Sequence, residues 1–173
     1  VGLPLPMLPA QLLWLNIVTN GIQYVALAFE RGHDNVLGLP PRRPDESVFD
    51  RLMIERGLLA GTWMAAVGFA AFVLMLEAGL PVETARSHLL LLMVLMQNVD
   101  AFNARSETLS VFRNPLSNNP LLAVGVAGAL LLHVGAMYVP LMQRVLSVGP
   151  ITLDQWILFP AVALSLLAVM ELQ

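Results

Sequence analysis

Four hydrogen-bonding side chains, Asn16, Thr19, Asn20 and Gln23, interrupt the otherwise apolar run "QLLWLNIVTNGIQYVALAF" from Gln11 to Phe29. They stand at i, i+3, i+4 and i+7. At about 100° per residue they share one face of an α-helix. Amide and hydroxyl oxygens on one face can ligate a cation, and they can equally hydrogen-bond a neighbouring helix. The pattern alone leaves both readings open. The Asn20-Gly21 pair is a weak point, and local unwinding there would free backbone carbonyls for a cation, as in discontinuous transporter helices. Asp100, in "LMQNVDAFN", is the one acid of twelve placed well inside an apolar run. Carboxylates at such depth are costly and face a bundle interior or a polar pathway. The alternative is that its helix ends early and leaves Asp100 at the interface.

The elements that must position these groups follow from composition. The chain has 173 residues, 57% hydrophobic and 12% charged, with a mean hydropathy of +0.73. Soluble domains carry about twice that charged fraction. Five apolar stretches, 8-29, 57-76, 87-104, 120-139 and 153-170, are each near the roughly 20 residues that cross a bilayer. The expected fold is all-α, an integral membrane bundle of about five transmembrane helices. Between them lie "RGHDNVLGLPPRRPDESVFDR", "EAGLPVET", "RSETLSVFRNPLSNN" and "PLMQRVLSVGPITLD", read as loops from their Pro, Gly, Asn and Ser content. No cysteine is present, which removes disulfides and thiolate metal sites. The net charge of -3 argues against nucleic-acid binding. No signal peptide is evident, and both ends read as cuts in a longer polypeptide.

Other polar or small residues have plainer readings. Gly57 with Gly61, and Gly125 with Ala129, have the small-xxx-small spacing of close helix packing. His133 reads as a satisfied packing histidine, Pro160 as a kink in the fifth span, and Trp14, Trp63 and Trp156 as packing or interfacial residues.

"LPAQLLWLNIVTNG" resembles the sixth transmembrane helix of P-type cation pumps of the calcium-pump-like class, which reads P-x-Q-L-L-W-x-N-L-V-T-D-G. "LGLPPRRPDE" is similar to the loop after that helix, "LMQNVDAFNARSE" to the eighth helix and its exit, and "HVGAMYVPLMQRVLSVGPITLDQW" to the ninth helix, its outer loop and the start of the tenth. The order is the family's, over nearly the whole chain, which would make residues 1-173 its C-terminal transmembrane region. The resemblance implies cation ligands at Asn16, Thr19 and Asn20, with Gln97 at a further ligand position. Asn20 stands where the family has Asp, and Gln97 where it has Glu. Both changes remove a negative charge, and calcium favours six to eight oxygens with several carboxylates. Asp100 would restore one charge a turn away, completing a candidate metal set of Asn16, Thr19, Asn20, Gln97 and Asp100.

The resemblance further implies a parent that hydrolyses ATP with Mg2+ to move a cation. Its partners would be lipid, upstream helices and cytoplasmic domains of the same polypeptide, and its place the plasma (inner) membrane. This stretch holds no Asp-Lys-Thr-Gly phosphorylation motif and no Walker-type loop, so no catalytic residue or bound cofactor is expected in it. The competing readings are a structural helix module without ligands, and part of a secondary transporter.

Seven of nine arginines (31, 42, 43, 51, 56, 105 and 113) fall in the loops after the first and third spans, against Arg86 and Arg144 on the other side. Positive charge collects in cytoplasmic loops. Single cysteines introduced in 30-56 or 105-119 are therefore expected to resist a membrane-impermeant thiol reagent in intact cells. Labelling of a cysteine at position 42 from outside would reverse the orientation.

Overall fold

The computed structural model describes residues 2-30, 51-105, 111-113 and 115-172. The chain begins with a rod made of α1 (Pro9–Leu15), a π-helix (Asn16–Tyr24) and α2 (Val25–Leu27). Then come α3 (Arg51–Glu77), α4 (Val82–Asn103), two short 3-10 turns (Val111–Arg113, Leu116–Asn118), α5 (Pro120–Tyr138), α6 (Pro140–Leu146) and α7 (Leu153–Glu171). No strand occurs among the described residues. The molecule is an all-α membrane bundle. The stretch 37-46, which carries the Pro-Pro-Arg resemblance, lies outside the described residues.

Local chemistry sets the helix ends. Pro9 at the first position of α1 lacks only an amide that would have no helical partner. The Leu8 amide is satisfied by Gln11 Oε1 at 2.9 Å. Gly79, at φ +82°, stops α3 in the left-handed conformation that suits glycine, and the Leu80 amide returns to the Met75 carbonyl. Asn119 caps α5 by accepting from the Leu122 amide at 3.0 Å.

α4 is the hub. Leu89 to Leu92 and Val94 to Met96 are all buried, because α4 packs against α3, α5, α7 and the rod. Among the described residues three helices, α3, α5 and α7, are long and apolar enough by themselves to cross a membrane. α4 carries Glu83, Arg86 and Asp100 and falls short by that measure. Its neighbours, not lipid, surround its centre. At 27 residues α3 is about 40 Å long. The hydrocarbon core is about 30 Å thick, so the charged first turns Arg51 to Arg56 extend past it.

Polar side chains tie the rod down at both ends. Arg105, after α4, forms a buried ion pair with Glu30 at 2.8 Å and also donates to the Pro115 carbonyl at 2.9 Å. Asn119 donates to the Ala26 carbonyl at 2.9 Å. At the other end Gln11, fully buried, donates to the Leu146 carbonyl at 2.8 Å.

Two expectations change. "PLMQRVLSVGPITLD" is not all loop: Pro140 opens the two-turn helix α6, whose Leu146 is buried. The two small-residue pairs also differ. A Cβ built on Gly57 or Gly61 meets nothing within 4 Å, so no helix packs closely there among the described residues, whereas one on Gly125 meets the Ala26 Cβ at 3.3 Å and Ile22 at 3.6 Å. In the full-length protein Gly125→Leu is expected to cost about 1-3 kcal/mol by overpacking. Gly61→Ala should be neutral or slightly stabilising, since alanine favours helix over glycine. Melting temperatures of the two variants check this, and equal effects would refute the assigned packing.

Candidate functional site

The polar stripe lies on the π-helix. Thr19 explains part of that geometry. Its hydroxyl donates to the Leu15 carbonyl at 2.6 Å. That carbonyl is the ordinary α-helical acceptor for the Thr19 amide, so the side chain competes with the backbone. A Cβ on Gly21 would meet only the Asn16 carbonyl, at 3.9 Å, so the widened segment has room for a side chain there. At Asn20-Gly21 the chain is not unwound but forms a widened helix with i→i+5 bonding over Asn16–Tyr24.

The widening appears in the exposure pattern. Exposed pairs recur every four residues, at 12-13, 16-17, 20-21, 24-25 and 28-29, with buried residues at 11, 15, 18-19, 23 and 26. In an α-helix four residues turn through about 400°, so an exposed face repeating at that spacing winds about 40° further each time. In the wider helix it stays nearly straight.

This geometry divides the stripe, correcting the expectation that its four residues share one face. Asn16 and Asn20 lie on the exposed side, joined by Asn20 Nδ2 donating to Asn16 Oδ1 at 3.0 Å. Thr19 (1% exposed) and Gln23 point inward. Gln23 Nε2 donates to Asn98 Oδ1 on α4. Thus Gln23 is the interhelical glue of one reading, while Asn16 and Asn20 present amides away from the described bundle.

On α4, Gln97 is half-buried, and its Oε1 is buried without a hydrogen-bond partner among the described residues. Such an acceptor is costly and calls for a donor or cation. Asp100 falls in the last turn of α4, which ends at Asn103. It lines a cavity of about 340 Å³ with Tyr24, Arg56, Gly57, Gly61 and Asn103, and Arg56 acts on it electrostatically. Asn16, Thr19, Asn20 and Gln97 do not line that cavity. Arg56 immediately precedes the apolar run of α3, so this level is the edge of the hydrocarbon. Among the described residues no three His, Asp or Glu side chains gather as a metal site.

Sequence reasoning missed three groups: Asn98, the partner of Gln23; Asn103, whose side-chain nitrogen and oxygen are both buried and unpartnered among the described residues; and the bond from Trp14 Nε1 to His133 Nδ1 at 3.1 Å. The signal was present for the last pair, since a His in an apolar span needs a partner.

Comparison with known proteins places this geometry. The family described as "Cation transporting ATPase, C-terminus" matches residues 4-173. The chain is 32% identical over 163 residues to the "Probable cation-transporting ATPase F" of Mycobacterium tuberculosis, covering 94% of this chain and 18% of that protein. It is 32% identical over 164 residues to the "Calcium-transporting ATPase" of Bacillus subtilis, covering 91% and 18%. With the "Endoplasmic reticulum calcium ATPase srcA" of Aspergillus fumigatus identity is 25% over 203 residues, covering 99% and 21%. The chain belongs to the C-terminal membrane region of the P-type cation-transporting ATPases. It spans about a fifth of the length of these relatives.

The placement of Asp100 can be tested through Arg56. A double-mutant cycle with Asp100→Asn and Arg56→Gln, read by thermal unfolding of the full-length protein, should give a coupling of about 1 kcal/mol or less. The coupling should shrink in high salt. A salt-insensitive coupling of about 3 kcal/mol or more would instead put the pair in the dry interior.

Proposed function

We propose that this chain supplies half of the transmembrane cation site of an ATP-driven pump, with Asn16, Asn20 and Gln97 as neutral oxygen ligands, while Thr19 is turned inward with its hydroxyl on the Leu15 carbonyl. The observation that carries the proposal is the pairing of Asn16 and Asn20 on the exposed side of the π-helix. Amides turned outward in a membrane segment need a polar partner. In this reading the partner is the transported cation, held jointly with side chains from helices outside this chain. The unpartnered Gln97 oxygen supports the same reading from α4. Asp100 stands beside the site, at its cytoplasmic edge, as the local carboxylate.

In the parent, ATP and Mg2+ act at cytoplasmic domains outside this chain, and phosphorylation drives alternating exposure of the site. Relatives are named for calcium and, more broadly, for cations. Calcium demands several carboxylates. This half contributes amides, so upstream helices would supply the charge. The proposed setting is the plasma (inner) membrane.

In the full-length pump Asn16→Ala, Asn20→Ala and Gln97→Ala are each expected to lower apparent affinity in calcium-stimulated phosphorylation from ATP by roughly tenfold, the loss of one charge-assisted contact. Asn20→Asp should raise it. If all three alanine variants lose yield or melting temperature while retaining the wild-type calcium dependence, the amides are structural glue and the pump-site reading fails.

A further inference from the structure

Two bonds hold the rod on either side of its polar pair. Trp14 Nε1 donates to His133 Nδ1 on α5 at 3.1 Å, and Gln23 Nε2 donates to Asn98 Oδ1 on α4. Both partner helices pack against the rod and against each other. Trp14 and Gln23 are nine residues apart. In an α-helix nine residues turn through about 900°, two and a half turns, which puts the two side chains on opposite sides. The wider turn of Asn16–Tyr24 brings the same nine residues much nearer to two full turns. In this widened form both side chains reach their partners, Trp14 on α5 and Gln23 on α4, together.

The partner residues carry a cost that packing alone does not explain. His133 is fully buried. With Nδ1 accepting from Trp14, the neutral imidazole carries its proton on Nε2, and Nε2 has no partner among the described residues. An apolar side chain would avoid that unsatisfied donor. The feature gained by the histidine is the acceptor for Trp14, two residues before Asn16. Asn98 is likewise buried and gives its oxygen to Gln23.

We propose that His133 and Asn98 are positioning residues that, by holding Trp14 and Gln23, lock Asn16–Tyr24 in its widened form and keep Asn16 and Asn20 on the open side of the rod, apart from Thr19. Without the lock the segment relaxes to α-helical bonding, and Asn16, Thr19 and Asn20 return to one stripe. The link to cation binding rests on the function proposed above; the lock itself does not.

The test uses the full-length pump with Trp14→Phe, His133→Leu, His133→Gln, Asn98→Leu and the double variant Trp14→Phe/His133→Leu. Calcium-stimulated phosphorylation from ATP and cryo-electron microscopy of the Asn16–Tyr24 backbone are the two readouts. Trp14→Phe and His133→Leu should each lower apparent calcium affinity about three- to tenfold at unchanged maximal phosphoenzyme. The double variant should be no worse than either single one. His133→Gln, whose amide oxygen can accept from Trp14, should recover most of the loss. In Trp14→Phe and in Asn98→Leu the segment should shift from i→i+5 to i→i+4 bonding. Should His133→Leu fail to fold, Trp14→Phe carries the test, since it removes the N–H while keeping an aromatic ring, though a smaller one, at a half-buried position.

Retention of i→i+5 bonding in Trp14→Phe and Asn98→Leu overturns the lock. A relaxed backbone with unchanged calcium affinity, while Asn20→Ala still weakens it, overturns the positioning role. If the backbone relaxes and Asn16→Ala and Asn20→Ala also leave calcium dependence intact, the lock stands and the cation-site reading is what fails.

Discussion

A segment that crosses lipid must satisfy its own backbone, and the rest of this bundle depends on how Asn16–Tyr24 meets that constraint while presenting polar side chains. Unwinding would free carbonyls for ligands but leave amides to be paired elsewhere. Widening to i→i+5 keeps the backbone bonded to itself and changes the angle between side chains instead. The Thr19 hydroxyl on the Leu15 carbonyl favours that solution locally. The result is a straight open face, repeating every four residues, with amides in its middle.

The remaining helices are arranged to support that rod. α4 is buried along its centre and can therefore carry polar residues a lipid-facing helix could not. Ser87, His88, Asn98 and Asn103 are all buried on it. α3, α5 and α7 are almost wholly apolar over their spans and screen it. The rod lies close against α5 where Gly125 admits Ala26 and Ile22. A larger residue there would move the rod away from α5, and with it Trp14 from His133.

The helices were largely legible because lipid imposes a length and a composition that apolar runs report directly. The described helices lie on all five runs, with α3 starting earlier at Arg51 and α4 at Val82. What was not legible depended on neighbours. Positions 16, 19, 20 and 23 fit one α-helical face as well as two pairs of a wider helix, and only burial separates these readings. Gly57-Gly61 and Gly125-Ala129 have the same spacing, yet only the second pair meets a helix. That α4 ends at Asn103, where Arg105 turns back to Glu30 and Pro115, was not legible either, for composition does not record that clamp. The seven residues of α6 were too few to stand out from the loop around them.

The bonds that hold the rod are graded along its length. At its cytoplasmic end, as the arginine distribution orients it, Glu30 and Arg105 form a buried, charge-assisted pair reinforced by the Arg105 bond to Pro115 and by Asn119 on Ala26. Breaking one partner of a buried ion pair costs several kcal/mol. Across the widened segment every cross-helix bond is neutral: Trp14 to His133 and Gln23 to Asn98. A neutral hydrogen bond contributes about 1 kcal/mol net. The end is therefore expensive to move and the middle is cheap to rearrange.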